Sequence, residues 1–353
     1  MIQPPPSASP ARSVTLEDAW LRFARFDKNA VLAQRRFISQ QKWILSLGVT
    51  VTILAIVYSV LEPSFETGLP WLQPPYLLWV KEILHFCTIA TPITLSILVA
   101  WSVKFNLGGS WIGLRGAAEA LRKEIYRYRM QVEEYSPNRP ATRDVQLAIV
   151  MKTISKRLME TNVNQAGMEP YEGPLPPKYG ATQGDDGFSD LNAEQYLTFR
   201  VEDQINYYQK KALRLSRELR RFQWIILIMG GVSTLLAALG FNVWVAVSSA
   251  LATAFANFLE FKRVETNLTS CNTAANDLYD IRTWWHALSS TSSILQSNVE
   301  TLVSSTEAVI QSENAGWVQE MREALSKIYG DKKEDEESQE LAQGMVHPSA
   351  LPS

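Results

Sequence analysis

Cysteine is nearly absent. The two in 353 residues, Cys87 and Cys271, are too few for a disulfide framework and are expected to be free thiols. Neither sign of charge dominates: 34 Lys and Arg face 36 Asp and Glu, for a formal net charge of -2. That balance excludes a protein that grips nucleic acid through bulk positive charge. The opening MIQPPPSASPARS has no apolar core, so it reads as a disordered lead over residues 1–14 and not as a signal peptide. Catalytic signatures are missing too: no P-loop, no nucleophile elbow, no zinc-ligand spacing and no HExxH. The glycines of NLGGSWIGLRG lack dinucleotide-binding spacing, and His286 stands on a helix beside Trp284 and Trp285. The expectation is a non-enzyme with no metal and no cofactor.

Charge is also missing locally. Four segments are almost free of it, while the rest of the chain is polar and helix-prone, the segregation of an integral membrane protein. The segments are about 43–61, 83–101, 224–241 and 243–259. Each is roughly 17 to 19 residues, the short end of what crosses a hydrocarbon core of about 30 Å. Trp43, Trp101, Trp224 and Trp244 stand at their ends, where amphipathic rings favour the interface.

Basic residues orient the spans. Arg25, Lys28, Arg35, Arg36 and Lys42 precede the first, and Lys210, Lys211, Arg214, Arg217, Arg220 and Arg221 precede the third. Lys262 and Arg263 follow the fourth, whereas the connections within each pair hold only Lys81 or no charge at all. The positive-inside rule then places both termini and the central region in the cytosol, with the turns EPSFETGLPWLQPPY and Gly240-Phe241-Asn242 outside.

The flanks of the spans carry helical periodicity. Trp111, Leu114, Ala118, Leu121, Ile125, Tyr128, Val132 and Tyr135 follow span two; Leu197, Val201, Ile205, Tyr208, Ala212, Leu215, Leu219 and Phe222 precede span three. Val264, Leu268, Cys271, Ala275, Leu278, Ile281 and Trp285 follow span four. Such stripes predict amphipathic helices packed by their apolar faces and running on into the spans. The order helix, span, turn, span, helix occurs twice in the same sense, over 15–135 and 195–288. Between the two units, 136–194 reads as a helix over about 142–160 and a flexible linker, GMEPYEGPLPPKYGATQGDDGFSD. A helical extension over 289–329 continues through Leu295, Val299, Leu302 and Val309. Its alternate seam positions Ser292, Thr306 and Glu313 are polar, which predicts a weak seam. The charged tail over 330–353 reads as disordered.

The basic entry helices ending RRFISQQKW and RELRRFQW, the short hairpins and the exit helix AAEALRKEIYRYRMQVEEY resemble the SLATT family, two-span membrane effector domains associated with bacterial nucleotide-signalling systems. The resemblance covers Leu16 to Tyr135 and Gln195 to about Leu288, a tandem arrangement, with no recognisable nucleotide-sensing domain. It implies membrane permeabilisation or pore formation, triggered by a cytosolic partner or nucleotide, in a bacterial inner membrane.

Candidate site residues follow from the spans. Asn242, Ala246, Ser249, Thr253, Asn257 and Glu260 share one face of span four. Small, weakly polar residues serve close helix packing in lipid, but a deep amide and a carboxylate also suit a pore lining. Span three carries its own small-residue face, Gly230, Gly231, Thr234, Ala237 and Ala238, expected to serve packing. Glu62, Glu66 and Glu82 gather at the outer mouth, facing water or, in an oligomer, forming a cation-selecting ring, and His85 beside them reads as an interfacial histidine meeting headgroups or as a pH-sensitive gate. Lys210, Lys211, Arg214, Arg217, Arg220 and Arg221 suit anionic lipid headgroups.

The sequence therefore predicts an all-α, four-span homo-oligomer of two helical hairpins with long cytosolic helices. Its leading function is an oligomeric pore or ion channel gated through the stalk by a cytosolic activator. A non-conducting membrane scaffold is the alternative. Membrane lipids are partners and nucleic acid is not. For orientation, a fluorescent protein that matures only in the cytosol should glow when fused to the C-terminus. A phosphatase active only outside should be active when inserted after Glu66; the reverse pattern overturns this topology.

Overall fold

The computed structural model describes residues 13–67, 74–105, 107–161, 163 and 167–329. The charged tail and most of the lead lie outside them. Among the described residues the chain is helical with no strand. Ser13, read as lead, is instead the cap of the first helix: its hydroxyl accepts the Leu16 N–H at 3.3 Å and donates to Asp144 at 2.7 Å.

Helix α1 spans Val14–Thr67 without interruption, 54 residues or about 80 Å at 1.5 Å per residue. It passes from a buried amphipathic stretch into an apolar span and continues past Pro63. Helix α2, Pro74–Phe105, returns beside it, and α3, Leu107–Met130, packs back along α1. After α4, Arg143–Met159, come a short α5, Ala193–Tyr196, a π-helical turn, Leu197–Glu202, and α6, Asp203–Ala238. Helix α7, Asn242–Phe261, returns against α6, and α8, Val264–Ala287, runs back along it. Four of these helical runs are long and apolar enough to cross a membrane, and their apolar windows are almost entirely unburied within the chain. The protein is an integral membrane protein. Helices α1 and α6 enter the apolar region without interruption, whereas α7 and α8, on the way out, are separated at Lys262 and Arg263.

Both ends of α7 have a local cause. Gly240 adopts φ 79°, Phe241 N–H reaches back to the Leu236 carbonyl at 2.8 Å, and Gly240 N–H to Ala237. This is a Schellman stop, whose left-handed residue glycine supplies without strain. At the other end of α7, Arg263 turns left-handed at φ 48°, and the Asn267 amide donates to the freed carbonyls of Lys262 and Arg263. Asn267, formally a glycosylation acceptor, is buried in this task.

The apolar flanks build two cores. The first joins α1, α3 and α4 around Trp20, Phe37, Ile112 and Leu121; the second joins α6 and α8 around Tyr196, Tyr208, Cys271 and Leu278. Burying each such large side chain contributes roughly 1.5–3 kcal/mol. The cores interlock, because Tyr126 and Met130 of α3 enter the second while Met321 of α10 enters the first.

Two expectations fail here. The stretch 167–190 is no flexible linker; it is strapped to both α1 and α3. Asn29 donates to the Glu169 carbonyl and accepts its N–H, both at 2.9 Å, and the Trp20 indole donates to the Gly187 carbonyl at 2.7 Å. Gly180 lies so close to Trp20 that a Cβ there would stand 2.7 Å from the ring. Buried Arg129 grips Asp185 and the Ser189 carbonyl, both at 2.8 Å. Glycine, proline and aspartate here serve close approach and specific bonds, which composition does not distinguish from flexibility.

The C-terminal extension also differs. It is broken after Ala287 by a short α9, Ser290–Ser293, capped by Ser289, and resumes as α10, Gln296–Tyr329. Its seam is not held by apolar contacts alone, because Glu313 and Glu307, the neighbour of Thr306, meet charged partners. Glu307 accepts two bonds from fully buried Arg200 of the π-turn, at 2.8 and 2.7 Å, and one from the Tyr196 hydroxyl at 3.0 Å. Glu313 pairs with Lys211 of α6 at 2.9 Å. Burial pulls the Arg200 pKa down, but the facing Glu307 carboxylate outweighs it and the guanidinium stays charged.

Breaking such a buried pair on one side leaves an uncompensated charge. Arg200→Met or Glu307→Gln should each destabilise the protein by about 3–5 kcal/mol, while Arg200→Met combined with Glu307→Met should lose less than either. Thermal unfolding in detergent checks the order.

Candidate functional site

Helix α7 has two unlike faces. One is turned to α6: Ser248 is buried, its hydroxyl donating to Ser233 at 2.9 Å, and Phe255 and Phe258 pack on Phe222 with ring centroids 5.7 and 5.5 Å apart. The other face carries Asn242, Ala246, Ser249, Thr253, Asn257 and Glu260, and every one of them is exposed in the single chain. Ser249 alone also leans toward α6, its hydroxyl 3.2 Å from that of Ser233. Glu260 stands at the stalk end, 3.6 Å from Arg263.

Span three does not use its small-residue face within the chain. Gly230, Gly231, Thr234, Ala237 and Ala238 are all exposed, and a Cβ added at either glycine would meet nothing within 4 Å. Helix α6 meets α7 instead through the face holding Phe222 and Ser233. The expected packing role of the glycines is therefore unfilled by this chain. A smooth face needs a partner backbone brought close, and sequence pattern does not say whose.

At the far end of α1 and α2, Tyr58 meets His85 with ring centroids 5.8 Å apart. Glu62, one turn beyond Tyr58, and Glu82, close to His85, are exposed there. The Glu66 side chain lies outside the described residues. At the opposite end, Lys210, Arg217, Arg220 and Arg221 are exposed on α6, free to reach a headgroup layer, and Arg214 is exposed at the rim of a stalk cavity. Lys211 is the exception: it faces α10, and burial, which lowers its pKa, is outweighed by Tyr207 and Glu313, so the ammonium is held charged.

The group that sequence reasoning missed is the polar cluster at the root of α6. Arg200 and Arg129 flank the Tyr126 ring, at 4.6 and 5.7 Å from its centroid, and Tyr196 meets the same ring edge-on at 6.2 Å. The π-turn aims Arg200 inward. The one hint in the sequence is the spacing Leu197, Val201, Ile205, two steps of four where an α-helical stripe alternates three and four.

These elements coincide with a known family. The family model described as SMODS and SLOG-associating 2TM effector domain 1 matches residues 196–317. Residues 196–317 are similar to a SLATT domain. Its match opens on Tyr196 and closes past Glu313, so the π-turn, α6, α7, α8 and the carboxylates of α10 all lie inside it. The first half matches a different model, described as a protein of unknown function (DUF4231), over residues 23–143. The strap at 167–190 falls between the two matches. No curated protein and no solved structure matches the chain.

Within the matched region, Ser233 joins α6 to α7 through Ser248, Ser249 and the Val245 carbonyl. Ser233→Ala should lower thermal stability in detergent modestly, by about 1 kcal/mol, as interhelical hydrogen bonds in membranes do. Ser233→Leu should cost more, about 1–3 kcal/mol, by overpacking the contact.

Proposed function

We propose that the chain assembles as a homo-oligomeric, non-catalytic membrane pore, lined by the polar face of α7. In this reading the basic ends of α1, α6 and α7 lie on the cytosolic side of a bacterial inner membrane. The stalk then carries a signal from a cytosolic activator to the spans.

One observation carries the reading: the stripe from Asn242 to Glu260 has the polarity of a water-facing surface, yet the chain's own helices leave it uncovered. An amide at Asn257 facing hydrocarbon without water or a partner is costly, so the stripe calls for water, a second copy or both. The exposed glycines of α6 suit the close approach of a neighbouring copy, leaving α7 available to line a path. Glu62 and Glu82 would add acidic charge to the outer mouth. The SLATT match supports an effector that acts at the membrane. The continuity of α6 from the π-turn through the third span supplies a mechanical link from stalk to pore.

The same open glycine face also favours a second reading, a non-conducting scaffold in which the stripe of α7 serves only subunit packing. Ion flux from liposomes containing the purified full-length protein separates the two. Wild-type flux, with altered rate or cation preference in an Asn257→Leu, Glu260→Gln variant of unchanged oligomer size, is the expected outcome. Absence of flux across cation, anion and pH gradients, with assembly lost in the variant, would favour the scaffold and sink the pore.

A further inference from the structure

A cavity of about 710 Å³ lies in the stalk where the two matched halves and the strap meet, within the size range of small-molecule sites. Its walls come from α1 (Phe23, Asp27), α3 (Arg115, Glu119, Arg122), the strap (Lys178), α6 (Asp203, Tyr207, Arg214) and α10 (Glu313). Neither half alone encloses it.

The ion pairing within it is lopsided. Asp27 and Glu119 are both taken by Arg115, the latter at 2.8 Å, and Glu313 is taken by Lys211. Asp203 receives a bond from Gln204 at 3.2 Å and stands 3.6 Å from Arg122, beyond hydrogen-bond reach. Arg122 is itself more than nine-tenths buried, with no carboxylate closer, and its Nε has no hydrogen-bond partner among the described residues. Lys178 and Arg214 at the rim are exposed and form no ion pair among the described residues. The lining holds four cations and four carboxylates, and every carboxylate has a cation or donor beside it; what is left over is the unpartnered Arg122 Nε and the two rim cations without an ion pair. Glu119 reports the same field: burial pushes its carboxyl up, but Arg115, Arg122, Arg200 and Lys211 together pull it below its ordinary value.

We infer that this cavity binds a soluble small anion carrying more than one phosphate. Arg122 supplies the buried fork that suits phosphate oxygens, and Lys178 and Arg214 close over the remaining charge. A buried, poorly paired guanidinium is costly unless an anion meets it. A lipid headgroup is the wrong source of that chemistry. Along α6, Asp203 and Tyr207 stand roughly 25–32 Å and Arg214 roughly 15 Å from Trp224, where the apolar stretch begins, at 1.5 Å per residue. The occupant would touch α1, α3, α6 and α10 at once, so it would stiffen the junction of the halves whether or not the spans conduct.

The test uses the full-length protein in phospholipid-free detergent, with inorganic pyrophosphate as probe and sulfate at matched ionic strength as control. Pyrophosphate should raise the melting temperature well beyond sulfate, as a ligand of the native state does. Calorimetric titration should give an affinity weakened about tenfold or more in Lys178→Ala, Arg214→Ala, and lost in Arg122→Gln. Arg220→Ala, Arg221→Ala near the membrane should bind as the wild type does. If Arg122→Gln fails to fold, the rim variant decides. Wild-type stabilisation no greater than with sulfate overturns the proposal. So does unchanged affinity in the rim variant, or a loss of affinity confined to the Arg220, Arg221 variant.

Discussion

A fully buried guanidinium–carboxylate pair, Arg200 with Glu307, ties the helix that enters the third span to the last helix of the chain. Its bonds are short, and Tyr196 and the Tyr126 ring enclose it. Such a pair contributes little over an apolar replacement, yet removing one member is severe, so it acts as a registration device more than as a source of stability. It sets the position of α10, and α10 in turn sends Met321 into the core of the other half. The π-turn is the backbone consequence: one extra residue per turn is needed to bring Arg200 to the inside between Leu197 and Val201.

The extramembrane part and the spans follow opposite packing rules. In the stalk, apolar stripes are covered and many polar strays are matched, down to Asn29 bonding both backbone groups of Glu169. In the spans almost nothing is buried, as expected where lipid replaces water and the apolar surface gains little by hiding. What the spans do hide is small and polar, Ser233 with Ser248. The remaining polar face of α7 and the glycine face of α6 are left open together, which is why the assembly and not the single chain holds the answer to function.

Most of the architecture was legible from periodicity and hydropathy, since both depend on one helix at a time. The stripe after span two is buried at Trp111, Leu114, Leu121 and Ile125, and so are Val201, Ile205 and Tyr208 before span three. Where the sequence misled, the missing fact was a partner distant in the chain. Glu313 looked like a flaw in a seam until Lys211 faced it. The strap looked flexible because glycine and proline have the same composition whether they turn loosely or fit under Trp20. Arg200 carried no mark at all, because a charged residue is read as solvated until its burial is seen.

By itself the sequence determined that four helices suit a membrane, that amphipathic helices flank them, and that one face of span four is polar. Each of these is a property of residues within a few turns of one another. Only the tertiary structure decided which faces are consumed inside the chain and which remain open, that the halves interlock through α3 and α10, and that a buried guanidinium is left poorly paired in the cavity between them. The physical reason is that pairing, burial and enclosure are relations between surfaces far apart along the chain, and no local pattern encodes them.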